Sequence, residues 1–438
     1  MREMKDSGVD WIGKIPNSWE LKKGKYLFFQ KNEKGNTKCL QLLSPTQNYG
    51  VIPQSLYEEL SGMSAVKLNE RADLSELKTV HKGAFCISLR SFQGGFEYSE
   101  YEGVVSPAYQ IFYPTTLIKD GYYRYLFKTE AFIQEMNSFT MSLRDGKNIA
   151  FSDFGNSLMP IPPIDDQKRI ASFLDSKCAE IDSITADIQK EIETLQEYLK
   201  SVITEAVTKG LDSNVEMKDS GIAWIGEIPV DWSVKPFWEL LDKTYNPIAD
   251  GPFGSDMKNE DYVDEGVPVI QIGTVKAAGL DFSKIHYISE KKANTLKRHN
   301  ALPGNLVITK MMPPGKCCIA PNVFSRYVVS ADVIRASVSS PMLRKFIFYA
   351  CNAYITIQAT ADAFGSTRDR ISVATLKRYK FAIPPSGELE DIVLNLDSKC
   401  LEIDSIVKDK QKQLDTLAEY RKSLIFEYVT GKKEVPAV

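Results

Sequence analysis

Apolar residues recur at steps of three and four along two long segments of the chain, 165–209 and 387–431. Charged residues occupy the other helical faces, and no Pro or Gly interrupts the first segment before Gly210. This spacing predicts two amphipathic helices with coiled-coil seams. About 44 residues in a helix span roughly 66 Å. Since each helix alone would leave its apolar stripe exposed, we expect the two to pair, the alternative being that each packs on an outside partner.

The predicted seams follow from the apolar positions. In the first helix they are Ile170, Leu174, Ile181, Ile184, Ile188, Ile192, Leu195, Leu199, Val202 and Ala206. In the second helix they are Ile392, Leu396, Ile403, Ile406, Leu414, Leu417, Tyr420 and Leu424.

The remaining segments, 17–160 and 230–382, contain short apolar runs separated by turn residues. In the first insert, strands are predicted at 25–29, 83–89 and 109–113, with one late helix at Tyr122–Asn137. In the second insert, strands are predicted at 267–273, 305–309 and 327–329, with one late helix at Pro341–Gln358. Each insert is therefore expected to form a compact α+β domain.

Two sequence repeats frame these inserts. Met4-Lys-Asp-Ser-Gly-Val-Asp-Trp-Ile-Gly-Lys-Ile-Pro16 returns as Met217-Lys-Asp-Ser-Gly-Ile-Ala-Trp-Ile-Gly-Glu-Ile-Pro229, and 174–184 returns as 396–406. The chain is thus two copies of one plan with dissimilar inserts. Because the second anchor repeat, 217–229, follows the end of the first long helix, we expect the first anchor repeat, 4–16, to pack where the last helix ends. That arrangement is circular, with adjacent chain ends.

Charge is distributed unevenly along the chain. Residues 230–382 hold 20 Lys and Arg against 14 Asp and Glu, a net of +6, and residues 17–160 hold 16 against 15, a net of +1. The segments 165–209 and 387–431 each hold 6 against 10, a net of −4. A basic insert suits a polyanionic partner, although ordinary surface variation produces such differences too.

The cysteine pattern does not favour a metal site. Seven cysteines are scattered without a Cys-x-x-Cys pair, and the chain has three histidines. Cys178 and Cys400 occupy equivalent repeat positions and are expected to be small buried side chains rather than a disulfide. No apolar run reaches the length of a membrane span, and the first residues lack a secretion signal, so a cytoplasmic protein is expected.

Sequence patterns of common catalytic sites are missing. No Gly-x-x-x-x-Gly-Lys-[Ser/Thr] phosphate loop and no Gly-x-Ser-x-Gly nucleophile motif occur. The sequence therefore favours a binding protein without catalytic activity, and no cofactor or metal is expected on the chain itself.

Three stretches of this chain closely resemble the specificity subunit of type I restriction–modification enzymes. They are the paired anchors 4–16 and 217–229, Ile161-Pro-Pro-Ile-Asp-Asp-Gln-Lys-Arg-Ile-Ala-Ser-Phe-Leu-Asp175, and Thr204-Glu-Ala-Val-Thr-Lys-Gly-Leu-Asp-Ser-Asn-Val-Glu-Met-Lys-Asp-Ser-Gly221. The resemblance covers essentially the whole chain. One departure is that the family's Glu-Gln before each helix is Asp166-Gln167 in the first copy and Glu388-Leu389 in the second.

The resemblance implies a fold of two α+β target recognition domains separated by two long antiparallel helices in a circular, pseudo-twofold arrangement. It divides the chain into 1–164 (anchor and first recognition domain), 165–210 (central helix), 211–386 (second anchor and second recognition domain) and 387–438 (C-terminal helix). It also implies recognition of an asymmetric, bipartite site in double-stranded DNA. Two modification subunits and further restriction subunits would supply S-adenosylmethionine-dependent methylation and ATP-dependent translocation.

Candidate DNA contacts are loop cations and amides close to glycines, since phosphate contacts position a protein and base contacts specify. The candidates are Arg90, Gln93, Arg144, Lys147 and Asn148 in the first insert, and Ser255, Lys310, Lys316, Arg368 and Arg370 in the second.

Two further interpretations stay open at this point. One is a silent copy that assembles with its partners but recognises no site. The other is a free-standing DNA-binding regulator.

Overall fold

The protein is described by a computed structural model covering residues 2–34, 41–63, 76–87, 95–139, 149–254, 256–363 and 370–436. The chain divides into two compact units. Unit 1 comprises Met1–Gln189 and Gln411–Val438, and unit 2 comprises Lys190–Lys410. Each unit thus contains one insert and a segment of each long helix.

Both long helices form close to their predicted bounds, at Ile164–Lys209 and Ser386–Val429. Asp165 and Asp166 lie in the first turn of the first helix, where carboxylates interact favourably with the helix dipole. Gly210 and Gly431 follow the two helix ends with φ values of 78° and 72°, a left-handed conformation that glycine adopts without steric cost.

Within each unit, the two helix segments run antiparallel. In unit 1, Phe173 packs on Tyr428 with ring centroids 4.5 Å apart, and the Arg421 guanidinium pairs with Asp182 at 3.4 Å. In unit 2, Lys410 pairs with Glu191 at one end of the segments. At the other end, the Glu388 carboxylate lies beside Gly210.

The predicted seam is buried over only part of its length. Ile170, Leu174 and Ile181 are buried together with residues of the first insert. Ile184 and Ile406 are 42% and 38% exposed, so these two predicted seam positions are not fully covered. A two-helix seam shields a side chain from one direction only, whereas the inserts cover the helices nearer their ends.

Unit 1 is built from short strands. In chain order they are β1 (Met4–Asp6), β2 (Lys14–Pro16), β3 (Glu20–Lys23), β4 (Phe28–Gln30), β5 (Leu43–Thr46), β6 (Gly50–Pro53), β7 (Lys78–Val80), β8 (Phe85–Ile87), β9 (Phe96–Tyr98), β10 (Gly103–Val105), β11 (Gln110–Pro114) and β12 (Leu158–Ile161). The largest sheet among them is four-stranded, in the order β4-β11-β8-β9, and every pairing in it is antiparallel.

The short helices of unit 1 are Gly24–Leu27, Gln54–Ser61, Asp120–Leu126, Glu130–Ser138 and Phe151–Asn156. Two predictions need correction here. The run 25–29 begins as a helical turn and becomes a strand at Phe28. The late helix is two helices, because a new helix starts after Thr129, whose hydroxyl accepts a hydrogen bond from the Phe132 amide as an N-cap.

Unit 2 contains β13 (Met217–Asp219), β14 (Glu227–Pro229), β15 (Ser233–Pro236), β16 (Ile248–Asp250), β17 (Tyr262–Val263), β18 (Val267–Ile270), β19 (Val275–Lys276), β20 (Gly279–Leu280), β21 (His286–Ile288), β22 (Asn300–Ala301), β23 (Leu306–Thr309), β24 (Cys317–Ile319), β25 (Tyr327–Val329), β26 (Val333–Ala336) and β27 (Lys380–Ile383). A five-stranded sheet has the order β17-β21-β18-β25-β22, and a four-stranded sheet has the order β16-β26-β23-β24.

The short α-helices of unit 2 are Phe237–Leu240, Glu290–Thr295, Pro341–Ala350, Thr356–Ala363 and Val373–Arg378. The predicted late helix starts at Pro341, where the Ser340 hydroxyl accepts from the Leu343 amide as an N-cap. A π-helical turn, Cys351–Ile355, joins it to the next helix.

The same set of internal contacts occurs in each unit, and we call this set the frame. In unit 1, the buried Trp19 indole donates to the Asp166 carboxylate at 3.4 Å, and β3 pairs with β12. In unit 2, the buried Trp232 indole donates to the Glu388 carboxylate at 2.9 Å, and β15 pairs with β27. Each anchor repeat forms a two-stranded hairpin, β1–β2 or β13–β14.

A second frame contact joins the late helix of each insert to its long helix. The Tyr125 hydroxyl donates to Asp175 at 2.6 Å, and the Tyr349 hydroxyl donates to Asp397 at 2.8 Å. Burial, followed by the hydrogen bond to the carboxylate, raises the pKa of both phenols. Both tyrosines therefore stay protonated and able to donate.

The chain ends lie together within unit 1, as the circular arrangement requires. The Lys432 ammonium donates to the Ile12 carbonyl at 2.7 Å, and Arg2 pairs with Glu434 at 3.2 Å. The first anchor therefore packs at the end of the second long helix.

The two cores differ in composition. The core of unit 1 is an array of aromatic rings that includes Phe28, Phe85, Phe112 and Phe127. The core of unit 2 is richer in aliphatic side chains. Cys178 and Cys400 are both free. Across the described ranges, no helix has the length and apolar character needed to cross a membrane.

Candidate nucleic-acid interface

Three loops of unit 2 leave its four-stranded sheet at the same end. Strand β16 finishes at Asp250, β23 finishes at Thr309 and β26 begins at Val333. The registers Asp250↔Ile334 and Thr309↔Val333 bring these positions side by side. We call this part of the molecule the loop end of unit 2. Loops on a rigid sheet are common places for binding residues.

A buried ion pair holds the loop end together. The Lys310 side chain is 7% exposed, and its ammonium lies 2.7 Å from the Asp250 carboxylate. The same ammonium donates to the Ala331 carbonyl at 3.1 Å. Lys310 therefore ties the loop after β16 to the loop before β26.

Arg370 and Ile371 join the same cluster. The Ile371 amide donates to the Lys310 carbonyl at 2.9 Å. The Arg370 guanidinium lies 2.5 Å from the Asp332 carboxylate. The backbone amide of Lys310 donates to the Asp332 carbonyl at 2.9 Å, which completes the connection.

A basic turn lies against the loop end. It consists of Lys297, Arg298 and His299, and the first two side chains are exposed. The imidazole Nδ1 of His299 lies 2.5 Å from the Asp250 carbonyl oxygen. The guanidinium of Arg335, a residue of β26, donates to the Arg298 carbonyl at 2.9 Å. Burial and the neighbouring Arg298 charge both lower the pKa of Arg335.

The structure describes three of the predicted contact residues, and all three belong to the loop end of unit 2. Lys310 is buried, Arg370 is partly buried, and Lys316 is partly buried at the base of the β23–β24 loop. The Thr309 amide donates to the Lys316 carbonyl at 2.8 Å and closes that loop. The other predicted residues lie outside the described ranges: Arg90, Gln93, Arg144, Lys147, Asn148, Ser255 and Arg368.

Unit 1 has an equivalent loop end, where β4 and β8 finish and β11 begins. The ion pairs among its described residues are exposed. The Lys31 ammonium lies 2.5 Å from the Glu33 carboxylate, and the His81 imidazole lies 3.4 Å from it. The hydrogen bond from Lys31, followed by that from His81, lowers the pKa of the Glu33 carboxyl.

Several features of the loop ends were not predicted. The basic turn at Lys297 is visible as three consecutive cationic or titratable residues, so its charge pattern was an available signal. The role of Asp332 depends on the pairing of β26 with two other strands, which no local pattern encodes.

The sequence comparisons agree on one family. Residues 13–194 match the model of the type I restriction modification DNA specificity domain. The MjaVIII type I restriction enzyme specificity subunit of Methanocaldococcus jannaschii is 25% identical over 307 residues, which are 68% of this chain and 68% of that protein. The EcoKI specificity subunit of Escherichia coli K12 is 23% identical over 329 residues, which are 73% of this chain and 67% of that protein.

The fold is also shared with a solved structure. A chain from a study of complex assembly and conformational transition in the type I R-M system aligns with a TM-score of 0.72 at 14% identity, covering 96% of this chain and 99% of that chain. The resemblance noted from the anchors and helix starts is therefore confirmed. Residues 13–194 of this chain thus match the type I restriction modification DNA specificity domain, and about two thirds of the chain is similar to the specificity subunits of type I restriction enzymes.

Proposed function

We propose that this protein is the DNA-recognition subunit of a type I restriction–modification complex and that it binds an asymmetric, bipartite site in double-stranded DNA. The observation that carries the proposal is the combination of a frame present in both units with two different loop ends. A duplicated frame presents two recognition surfaces in equivalent settings. Different loops on those surfaces favour two different half-sites.

The loop end of unit 2 has the charge that DNA binding requires. Its insert has a net charge of +6, and the exposed Lys297 and Arg298 lie beside the Asp250 loop. Cations placed this way neutralise phosphates and make affinity dependent on salt. Lys316 and Arg370 lie on adjoining loops, while the buried Lys310 is better suited to positioning the Asp250 loop than to contacting a phosphate.

The candidates outside the described ranges remain part of the proposal. Arg90 and Gln93 follow β8 in the sequence, as Lys310 and Lys316 follow the equivalent strand β23. Arg368 precedes Arg370 by two positions. Ser255 follows the Asp250 loop, and Arg144, Lys147 and Asn148 precede the last short helix of unit 1.

We further propose that two modification subunits dock on this chain, because each unit contains an equivalent antiparallel helix pair. Restriction subunits would join that assembly. The partner subunits would bind S-adenosylmethionine and ATP and perform the chemistry, and this chain would have no catalytic role. The missing phosphate-loop and nucleophile motifs are consistent with this division of labour.

Methylation sequencing of the host genome, with and without the gene for this protein, tests the proposal. We expect one bipartite adenine-methylated sequence with two unlike halves to disappear on deletion. Purification of the tagged protein should recover a methyltransferase partner at two copies per chain. A continuous or palindromic methylated site would contradict the bipartite proposal.

The same two measurements separate the alternatives. A silent copy would bring down the methyltransferase but leave the methylated sequences unchanged on deletion. A free-standing regulator would bind DNA and bring down no methyltransferase.

A further inference from the structure

Two large apolar side chains are exposed at the loop end of unit 2. Phe253 is 74% exposed and lies three residues beyond the end of β16. Met312 is 77% exposed and lies three residues beyond the end of β23. Because both strands neighbour β26, their ends are separated by two strand spacings, roughly 10 Å. Single exposed apolar residues are ordinary on protein surfaces, but these two are carried by loops with fixed conformations at one end of a sheet.

The loop that carries Met312 is held in a strained conformation. Met312 has a φ of 60°, a backbone angle that residues other than glycine rarely adopt. The Thr309 hydroxyl donates to the Pro313 carbonyl at 2.6 Å, and the Gly315 amide donates to the Thr309 carbonyl at 2.8 Å. Such strain persists where the surroundings enforce it, and it clusters at ligand-binding sites.

The loop that carries Phe253 is fixed at its base. The buried Lys310 ammonium holds the Asp250 carboxylate at 2.7 Å. A Cβ atom on Gly251 would lie 2.1 Å from the Ser330 carbonyl carbon, so only glycine allows this close backbone approach. The Phe253 ring therefore projects from a rigid support, which reduces the entropy lost when it binds a partner.

The charge around these side chains favours nucleic acid over an apolar protein groove. Lys297 and Arg298 are exposed on the turn that contacts the Asp250 carbonyl through His299. An apolar side chain beside exposed cations suits the surface of a duplex, in which stacked bases lie next to rows of phosphates. Proteins that bend DNA insert Phe or Met between base steps in this way.

We propose that Phe253 and Met312 form an apolar wedge that inserts at a base step of duplex DNA and bends it where the second insert binds. This inference rests on the proposed function. The wedge would contribute indirect readout, since pyrimidine–purine steps unstack at lower energetic cost than other steps. Sequence preference at that step would then arise without a hydrogen bond to either base.

The test uses the full complex with its modification subunits and a duplex that carries the genomic methylated sequence. The variants are Phe253→Ala, Met312→Ala and the double substitution. Leu302→Ala is the matched control, because Leu302 is 55% exposed and precedes β23 at the opposite end of the same sheet. Duplex bending is measured by energy transfer between dyes at the two DNA ends, and affinity is measured at several salt concentrations.

We expect the double variant to lose most of the bend and to bind roughly ten- to hundredfold more weakly, the range typical of lost base–aromatic stacking. The salt dependence should stay unchanged because no phosphate contact is removed. On a duplex with an abasic position at the contacted step, the affinities of the double variant and the wild type should differ less, because the cost of unstacking that step is already reduced. Leu302→Ala should behave as the wild type.

The outcomes separate this inference from the function on which it rests. If the wild-type complex does not bind the duplex that carries the genomic methylated sequence, the proposed function fails. If the wild type binds and bends the duplex but the double variant does so equally, the wedge is refuted while DNA recognition stands. If the double variant loses its modification subunits instead, the two side chains belong to a protein interface and the wedge is likewise refuted.

Discussion

Unit 1 and unit 2 place a buried indole on a carboxylate at the start of a long helix, through Trp19 and Asp166 or through Trp232 and Glu388. Their four-stranded sheets have the same order of strands, yet the loop ends of those sheets are held differently. In unit 2 the loops are tied by a lysine that is 7% exposed, whereas the Lys31–Glu33 pair at the loop end of unit 1 has side chains 48% and 43% exposed. The frame is thus duplicated while the binding loops have diverged. This difference separates what each unit needs in order to fold from the loops that we propose contact DNA.

The largest predicted loss of stability concerns the frame. Trp19→Ala and Trp232→Ala should each destabilise their unit by about 3–5 kcal/mol, because both indoles are buried and the smaller side chain leaves a cavity. Urea unfolding followed by far-ultraviolet circular dichroism measures the effect. Equivalent frames require similar losses, so tolerance of the change in one unit alone would show that the two frames are not equivalent. Trp238→Ala is a control, since Trp238 is 56% exposed.

The loop ends should respond unequally to the loss of a lysine. Lys310→Met keeps most of the side-chain volume but leaves Asp250 without its partner, and we expect a loss of about 2–3 kcal/mol. This lies below the usual range for broken buried pairs because the Asp250 side chain is 29% exposed and water can reach it. Lys31→Met, which removes an exposed cation at the loop end of unit 1, should have no resolvable effect on the urea midpoint because exposed pairs contribute little. Equal losses would show that the two loop ends are held alike.

One position of the frame differs between the copies. Gln167 is buried, accepts a hydrogen bond from the Lys119 amide at 2.7 Å and donates to the Pro162 carbonyl at 2.8 Å. Leu389 occupies the equivalent position in unit 2 and packs in its apolar core. The missing glutamine of the second copy therefore reflects internal packing in each unit.

Exchanging these two residues tests whether each one is specialised to its own unit. Gln167→Leu should cost about 1–3 kcal/mol, because the amide and carbonyl that it satisfies become buried without a partner. Leu389→Gln should cost a similar amount, because it places an amide among apolar side chains. Thermal unfolding of both variants provides the measurement. If either exchange is neutral, the two positions are not specialised to their own units.

The frame could be predicted from the sequence to a large extent, because its signals are local and repeated. The three- and four-residue spacing gave both long helices to within two residues at each end. The repeat around Trp11 and Trp224 indicated that the first anchor packs at the end of the last helix, and the contact between Lys432 and Ile12 confirms it. These features depend on periodicity and on glycine stops, which a single sequence displays.

The loop ends could be predicted only in part. Lys310, Lys316 and Arg370 were selected as loop cations, and the structure brings their loops together. The sequence did not reveal that Lys310 is buried, because its burial results from Asp250 and Ala331, which are 60 and 21 positions away. The exposure of Ile184 was likewise not predicted, since helical spacing identifies an apolar face but not how completely a neighbour covers it.

The smallest predicted effects concern the glycines that end the two long helices. Gly431→Ala and Gly210→Ala both introduce a Cβ at positive φ, which costs roughly 1–2 kcal/mol. At Gly431 the new atom would lie 2.5 Å from the Pro16 ring and 2.9 Å from the Trp19 ring, both rigid. At Gly210 it would meet the Glu388 carboxylate at 2.6 Å, the far end of a flexible side chain. We therefore expect Gly431→Ala to be the more destabilising of the two.

Paired urea unfolding curves of the two alanine variants measure this difference, with Gly8→Ala as the control. Gly8 has φ 68°, but an added Cβ would have no atom within 4 Å, so that variant reports the backbone cost without a clash. Gly210→Ala should lose about as much stability as this control, apart from any weakening of the hydrogen bond between Trp232 and Glu388. Gly431→Ala should lose clearly more stability than the control. If Gly210→Ala proved the more damaging, the Glu388 carboxylate would be held as rigidly as the proline ring, and the indole contact of unit 2 would be the stronger of the two.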